Sequence, residues 1–283
     1  MLKPPVEFYN ISTDRIKLRA EDFVYVPSIG TSVSKTKLTS DNYVLDGKWN
    51  ELFPFAQWFA PDYVVPSLSQ VLRFRDYLKQ KLPEDAHREF SFNYPSEPNF
   101  PGEWANSVLA FPNEDGHYSQ RLRLPEVEGR KGRIPLLIDH VTLKRFGEKY
   151  IIAHGKVTEV PNLPLKKGHI SEFDKQTGLP IKVVEVKSDM DPMFWVNSRV
   201  DEKGDDGLRS IKYSVVSSHP IMQIDAYHSP WTNETLNTES GIRLSVQPNA
   251  LEVLNKMLIT ENGRFHSAMD KLAELGFDVS KYF

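Results

Sequence analysis

IPLLIDHVTLKRFGEKYIIA, residues 134–153, governs how the rest of the chain is read. Apolar residues run from Ile134 to Leu143, break at Phe146-Gly147-Glu148, and resume at Tyr150-Ile151-Ile152-Ala153. A glycine-bearing turn between two apolar runs predicts two antiparallel strands joined by a hairpin. The pattern recurs downstream. Ile170–Phe173 turns through Asp174-Lys175-Gln176-Thr177-Gly178 into Ile181–Val186, and Phe194–Val200 turns through Gly204-Asp205-Asp206-Gly207 into Ile211–Val216. Ile221–Ala226 and Ile242–Val246 complete the set. No helical stretch intervenes to make the crossovers of a parallel sheet, so residues 104–247 are expected to form an antiparallel β-sandwich or barrel core.

Upstream, residues 83–103 carry Pro83, Pro95, Pro98 and Pro101. Proline fixes φ and lacks a donor, so this stretch reads as an extended connection and a candidate boundary. Residues 1–103 then form an irregular N-terminal region with short strands at Phe23–Val26 and Tyr43–Leu45 and one helix over 66–82. Ser67 can cap that helix, Leu68, Val71, Leu72, Leu78 and Leu82 follow helical spacing, and Pro83 stops it. The segment from Trp49 to Phe59 is dense in aromatics. Rings of this size pack cores, and the same residue types are enriched at contact surfaces. Trp49, Phe53, Phe55, Trp58 and Phe59 are therefore either core or a protein interface.

Residues 248–283 read as a helical C-terminal tail. Pro248 suits a first turn, Leu251, Leu254 and Leu258 share a face, and Gly276 can close a second helix. The apolar end, Tyr282 and Phe283, is a further candidate protein interface. The fold class that follows is mixed and β-dominated (α+β), with peripheral helices around the β core.

Composition limits the function. The chain has 283 residues, 40% of them hydrophobic and 11% aromatic, enough to offset the entropy of ordering. A formal charge of −3 leaves room only for a local nucleic-acid site. With no cysteine there are no disulfides, thiolate nucleophiles or cysteine-bound metals. The first residues lack the charged-then-apolar order of a signal peptide, and no apolar run approaches the roughly 20 residues of a membrane helix. A cytoplasmic protein, or one in a particle assembled in the cytoplasm, is expected, without a membrane contact.

Three patterns could carry chemistry. Glu185-Val186-Lys187 closes a strand, as Glu-x-Lys does in many magnesium-dependent nucleases, where two carboxylates hold the metal and the lysine sits by the phosphate. Asp174 or Glu172 would be the upstream acid, but a turn aspartate explains Asp174 equally, and the residues after Lys187 lack a helix. A basic set, Arg121, Arg123, Arg130, Lys131, Arg133, Lys144, Arg145, Lys166 and Lys167, with Tyr118 and Phe146, has the charge-plus-ring composition that binds single strands, although interspersed glutamates dilute it. His219, Asp225 and His228 could be written as an iron site, yet His219 precedes Pro220 and His228 precedes Ser229-Pro230, which reads as strand-end or loop positions. No phosphate-cradling glycine loop and no nucleophile elbow occurs. No cofactor or metal is expected. The reading placed first is a non-enzymatic binding or assembly protein, a structural component of a large complex such as a virus particle, with other protein subunits as partners. A single-stranded nucleic-acid-binding module and a metal-dependent nuclease stand as alternatives.

Overall fold

A computed structural model describes residues 23–35, 49–59, 63–83, 102–185, 192–200, 205–216, 221–231 and 241–246. The predicted C-terminal helices, Tyr282, Phe283, Lys187 and His219 lie outside them. Strands β1 (Phe23–Val26) and β2 (Thr31–Ser34) precede helices α1 (Trp49–Phe59) and α2 (Leu68–Lys81). Then follow β3 (Gly102–Ala110), β4 (Leu136–Phe146), β5 (Lys149–Glu159), β6 (Gly168–Phe173), β7 (Pro180–Val184), β8 (Met193–Val196), β9 (Leu208–Val216), β10 (Ile221–Ala226) and β11 (Ser245–Val246). The fold is β-dominated α+β, as the alternating runs predict.

Eight strands form one sheet in the order β5-β4-β3-β9-β10-β8-β6-β7, and β1-β2-β11 form a second, antiparallel sheet. The β4–β5 and β6–β7 hairpins occur where the turn signals place them. The β8–β9 connection differs from expectation: β10 inserts between the two strands and pairs parallel with β8. Parallel neighbours need a long crossover, for which the sequence offers no helix. Strand β9 and its loops serve instead, leaving β8 on one side of β10 and returning from the other.

Side chains alternate across the pleat, so both faces of the central strands are buried. Val108, Ala110, Leu136, Ile138 and Leu208 point to one core, shared with α1 and with Leu122, Leu124, Ile242 and Leu244. Ala105, Leu109, Leu137, Ile211 and Tyr213 point to the other, shared with Leu68, Val71, Ile170, Leu179, Phe194 and Ile224. The sheet curls enough that its edges, β5 (Thr158, Glu159) and β7 (Pro180, Ile181), line one cleft of about 180 Å³. Among the described residues no ladder joins those edges.

Helix α1 forms over the aromatic segment despite an internal Pro54. Trp49, Leu52, Phe53 and Ala56 recur at i, i+3, i+4 and i+7 and are all buried, so burial of one apolar stripe outweighs poor local propensity. Helix α2 begins as read: the Ser67 backbone N–H donates to Gln70 Oε1 at 2.9 Å. It packs on both sheets, with Leu68 and Val71 in the second core and Phe74 and Leu78 against Val26 and Val33. Segments on either side of residue 103 thus share cores, and β2 from the N-terminal region pairs with β11.

A buried charge cluster ties these parts together. Glu103 Oε2 accepts from Arg75 Nη2 and from Arg243 Nε, each at 3.0 Å, with all three side chains at most 5% exposed. Arg243 also donates to the Ser34 carbonyl at 2.9 Å and lies over the Phe74 ring, while Arg75 lies over Tyr213.

Candidate functional site

Strand β3 pairs with β4 only from Leu136 to Asp139, whereas β4 continues to Phe146. Beyond Asp139 the sheet is two strands wide, a β4–β5 arm. Its turn has Gly147 at φ +63, the left-handed conformation that a two-residue hairpin loop takes at its first central position. The pairing is Lys144↔Ile151, Arg145↔Tyr150 and Phe146↔Lys149.

The arm is fastened along both edges. On β4, the Gln57 side chain from α1 acts as a surrogate strand: Leu143 N donates to its Oε1 at 3.0 Å, and its Nε2 donates to Leu143 O at 3.3 Å. On β5, Ile152 N donates to Arg121 O at 2.8 Å and Arg123 N donates to Ile152 O at 2.9 Å. Leu143 and Ile152 close one face of the arm onto the first core. The opposite face carries Lys144, Phe146 and Lys149, all exposed, and Phe146 at 71% is the most exposed large apolar side chain among the described residues.

At the arm's base the strands are irregular. The β4–β5 register shifts between Asp139 and Thr142, and β3 is irregular between Trp104 and Val108. Three features locate the cause. His140 has φ +54, a conformation only short polar and histidine side chains adopt with any frequency. Asn106 Oδ1 accepts from Val141 N at 2.6 Å. A Cβ on Gly155 would come within 2.6 Å of Ile138 Cγ2, so the strands approach where no side chain fits. Asp139 accepts a hydrogen bond from Ser107 Oγ, which in turn accepts from Leu68 N at 2.9 Å, linking the arm to the start of α2.

Burial, the largest influence, holds the Asp139 carboxyl above its ordinary pKa, while the Ser107 hydrogen bond, His140 and Lys156 pull the other way. The folded state therefore binds this proton more tightly than the unfolded chain. The stability Asp139 contributes is fully present below the ordinary aspartate value of about 3.9, and declines as pH rises through the folded value. Asp139→Asn abolishes that decline. In denaturant melts between about pH 4 and pH 7, the variant gains on the wild type over the lower part of the range and then holds a constant difference. A difference independent of pH would refute the assignment.

The nine cations named from the sequence do not form one patch. Lys144 and Arg145 stand at the arm's tip, and Arg121 and Arg123 flank its β5 edge, where Arg123 pairs with Glu128 at 2.8 Å. Arg130, Lys131 and Arg133 belong to the segment entering β4, with Arg130 paired to Glu159 and Lys131 bridged to His117. Lys166 and Lys167 lie in the β5–β6 loop, where Lys167 Nζ sits 3.4 Å from the centroid of the Trp195 ring. Lys149 and Lys156 belong with the arm and were missed, because lone lysines on a strand carry no motif; only the pairing register places them.

Asp174 and Glu185 are not brought together. Asp174 Oδ1 accepts from Gln176 N, Thr177 N and Thr177 Oγ1 at 2.7–2.9 Å, hydrogen bonds that hold its carboxyl below the ordinary range. It sits opposite Leu179 at the turn end of the β6–β7 hairpin, and Glu185 follows the other end of β7, roughly 20 Å away at about 3.3 Å per residue. Among the described residues no group of three or more His, Asp or Glu could hold a metal ion.

Trp49, Phe53 and Phe55 are at most 2% exposed, inside the chain's own core, and Trp58 is half-buried against it. Asp205 and Asp206, which the sequence places in the turn before Ile211, are engaged by other side chains. Asp205 holds buried Arg209 through two bonds at 2.7 and 2.6 Å. Asp206 accepts from Trp231 Nε1 at 2.7 Å and from Ser119 Oγ at 3.2 Å, and burial raises its pKa. Asp225 is likewise buried, opposite Lys212 in the β9–β10 ladder.

Compared with protein-family models, with curated proteins and with solved structures, the chain matches none of them. Among the described residues no helix is long and apolar enough to cross a membrane.

Proposed function

We propose that this chain is a non-enzymatic binding protein that works as a structural component of a larger assembly, with other protein subunits as partners. The observation that carries this reading is the β4–β5 arm: a two-stranded ribbon fixed along both edges that ends on the exposed Phe146 ring. A ring left in water on a well-held tip forgoes roughly 1.5–3 kcal/mol of burial, which a contact surface recovers on docking. In the alternative catalytic reading Asp174 is the weaker of the two upstream acids, because its carboxylate is committed to its turn. A virus-particle component assembled in the cytoplasm is the concrete form of the proposal, supported by the 20 prolines and the long extended connections of the sequence.

Light scattering after size-exclusion chromatography, with absorbance at 260 and 280 nm, tests it. A defined oligomer is the expected result. A protein that runs as a monomer at all accessible concentrations overturns the assembly reading.

A further inference from the structure

We infer that the outer face of the β4–β5 arm binds single-stranded nucleic acid, with Phe146 stacking on a base and Lys144, Lys149 and Lys156 following the phosphates. The inference rests on the proposed binding role and adds to the protein subunits a second partner, a nucleic acid carried by the assembly, which takes the arm's outer face. Lys144 and Phe146 alternate on β4, Lys149 stands directly opposite Phe146, and Lys156 pairs with Asp139 at the base. The two partners of each pair share a face, and Ile138↔Val157 and Leu143↔Ile152 both turn toward the first core. Lys144, Lys149 and Lys156 therefore all look away from that core. Among the described residues Lys144 and Lys149 enter no ion pair. Within residues 139–156 the acids are Glu148 in the turn and Asp139, which is half-buried and hydrogen-bonded to Ser107.

The direction of the cation row selects the partner. From Lys149 to Lys156 is seven residues, roughly 20 Å of strand at about 3.3 Å per residue. A polyanion lying along the ribbon meets every cation, whereas a flat anionic membrane meets the tip alone. Phe146 distinguishes strand from duplex: a single strand offers the faces of its bases to a ring, while a duplex keeps them stacked.

Fluorescence anisotropy with a labelled 20-nucleotide oligothymidylate, and with a single-stranded RNA of the same length, reads the binding. With three phosphates neutralised, the slope of log affinity against log salt is about −2, from roughly −0.7 per contact. Phe146→Ala weakens binding about 5-fold to 150-fold. Lys156→Glu weakens it as Lys149→Glu does, and circular dichroism confirms that each surface variant is folded. Absence of binding, or affinity unchanged in a Lys144→Glu/Lys149→Glu variant, overturns the inference. So does binding to vesicles of phosphatidylcholine with phosphatidylserine that persists in Lys156→Glu while no oligonucleotide binds. An oligomer that ignores oligonucleotides removes this inference and leaves the assembly reading standing; a monomer that binds them does the reverse.

Discussion

Replacing Glu103 by Ala is expected to destabilise the fold by about 3–5 kcal/mol, the loss seen when one member of a buried ion pair is removed. Both Arg75 and Arg243 donate to the same oxygen, Glu103 Oε2, and all three side chains are buried. Deleting the carboxylate leaves two buried guanidinium groups without the counter-charge they share, in a medium that screens them poorly. The damage is spread over three elements, because Arg75 belongs to α2, Glu103 to β3 and Arg243 to the segment that leads into β11. Glu103→Gln keeps an acceptor oxygen and loses the charge, so its effect should fall between that of Ala and none. Removing all three charges at once, as Arg75→Met with Glu103→Leu and Arg243→Met, is expected to restore much of the loss, since an apolar replacement avoids the desolvation of the ions. Urea unfolding followed by tryptophan fluorescence measures each step. A loss below about 1 kcal/mol for Glu103→Ala would mean that water reaches the cluster freely.

The second large effect is expected at Trp49. Its ring stacks on Phe53 with centroids 4.4 Å apart, meets Trp231 edge-on at 5.8 Å, and donates Nε1–H to the Ala105 carbonyl at 3.4 Å. Trp49→Ala should lower stability by about 3–5 kcal/mol through the cavity it opens in the first core. Trp58→Ala, at the margin of the same core, should do less. Phe146→Ala should change stability within about 0.5 kcal/mol, because its ring touches little of the protein. Thermal unfolding of the three variants separates core aromatics from the arm's aromatic. An equal loss at Trp49 and Phe146 would contradict the assignment of one to the interior and the other to a contact surface.

The contrast between these two aromatics shows where sequence reasoning reaches its end. Both lie in stretches rich in rings or cations, and nothing local says which is inside. Trp49 is buried because α1 turns a stripe of i, i+3, i+4 and i+7 residues onto the sheet, a helix that Pro54 and the β-favouring aromatics hide from a propensity argument. Phe146 is exposed because β3 stops pairing at Asp139 and leaves the hairpin's end two strands wide. The acids Asp205 and Asp206 are a similar case. A run of carboxylates near glycines reads as a wet turn, yet Arg209, Trp231 and Ser119 reach them from 4 to 87 residues away.

By itself the sequence determined the β-dominated class, the β4–β5 and β6–β7 hairpins with their turns, and the bounds of α2. Each of these rests on period, turn chemistry or capping, which act within a few residues and so leave a local trace. Tertiary structure alone decided that β10 lies between β8 and β9, that Glu103 joins two distant arginines, and that Lys144, Lys149 and Lys156 share a face with Phe146. Pairing order and register are set by which apolar faces can be buried together, a condition on the whole chain that no short stretch of it records.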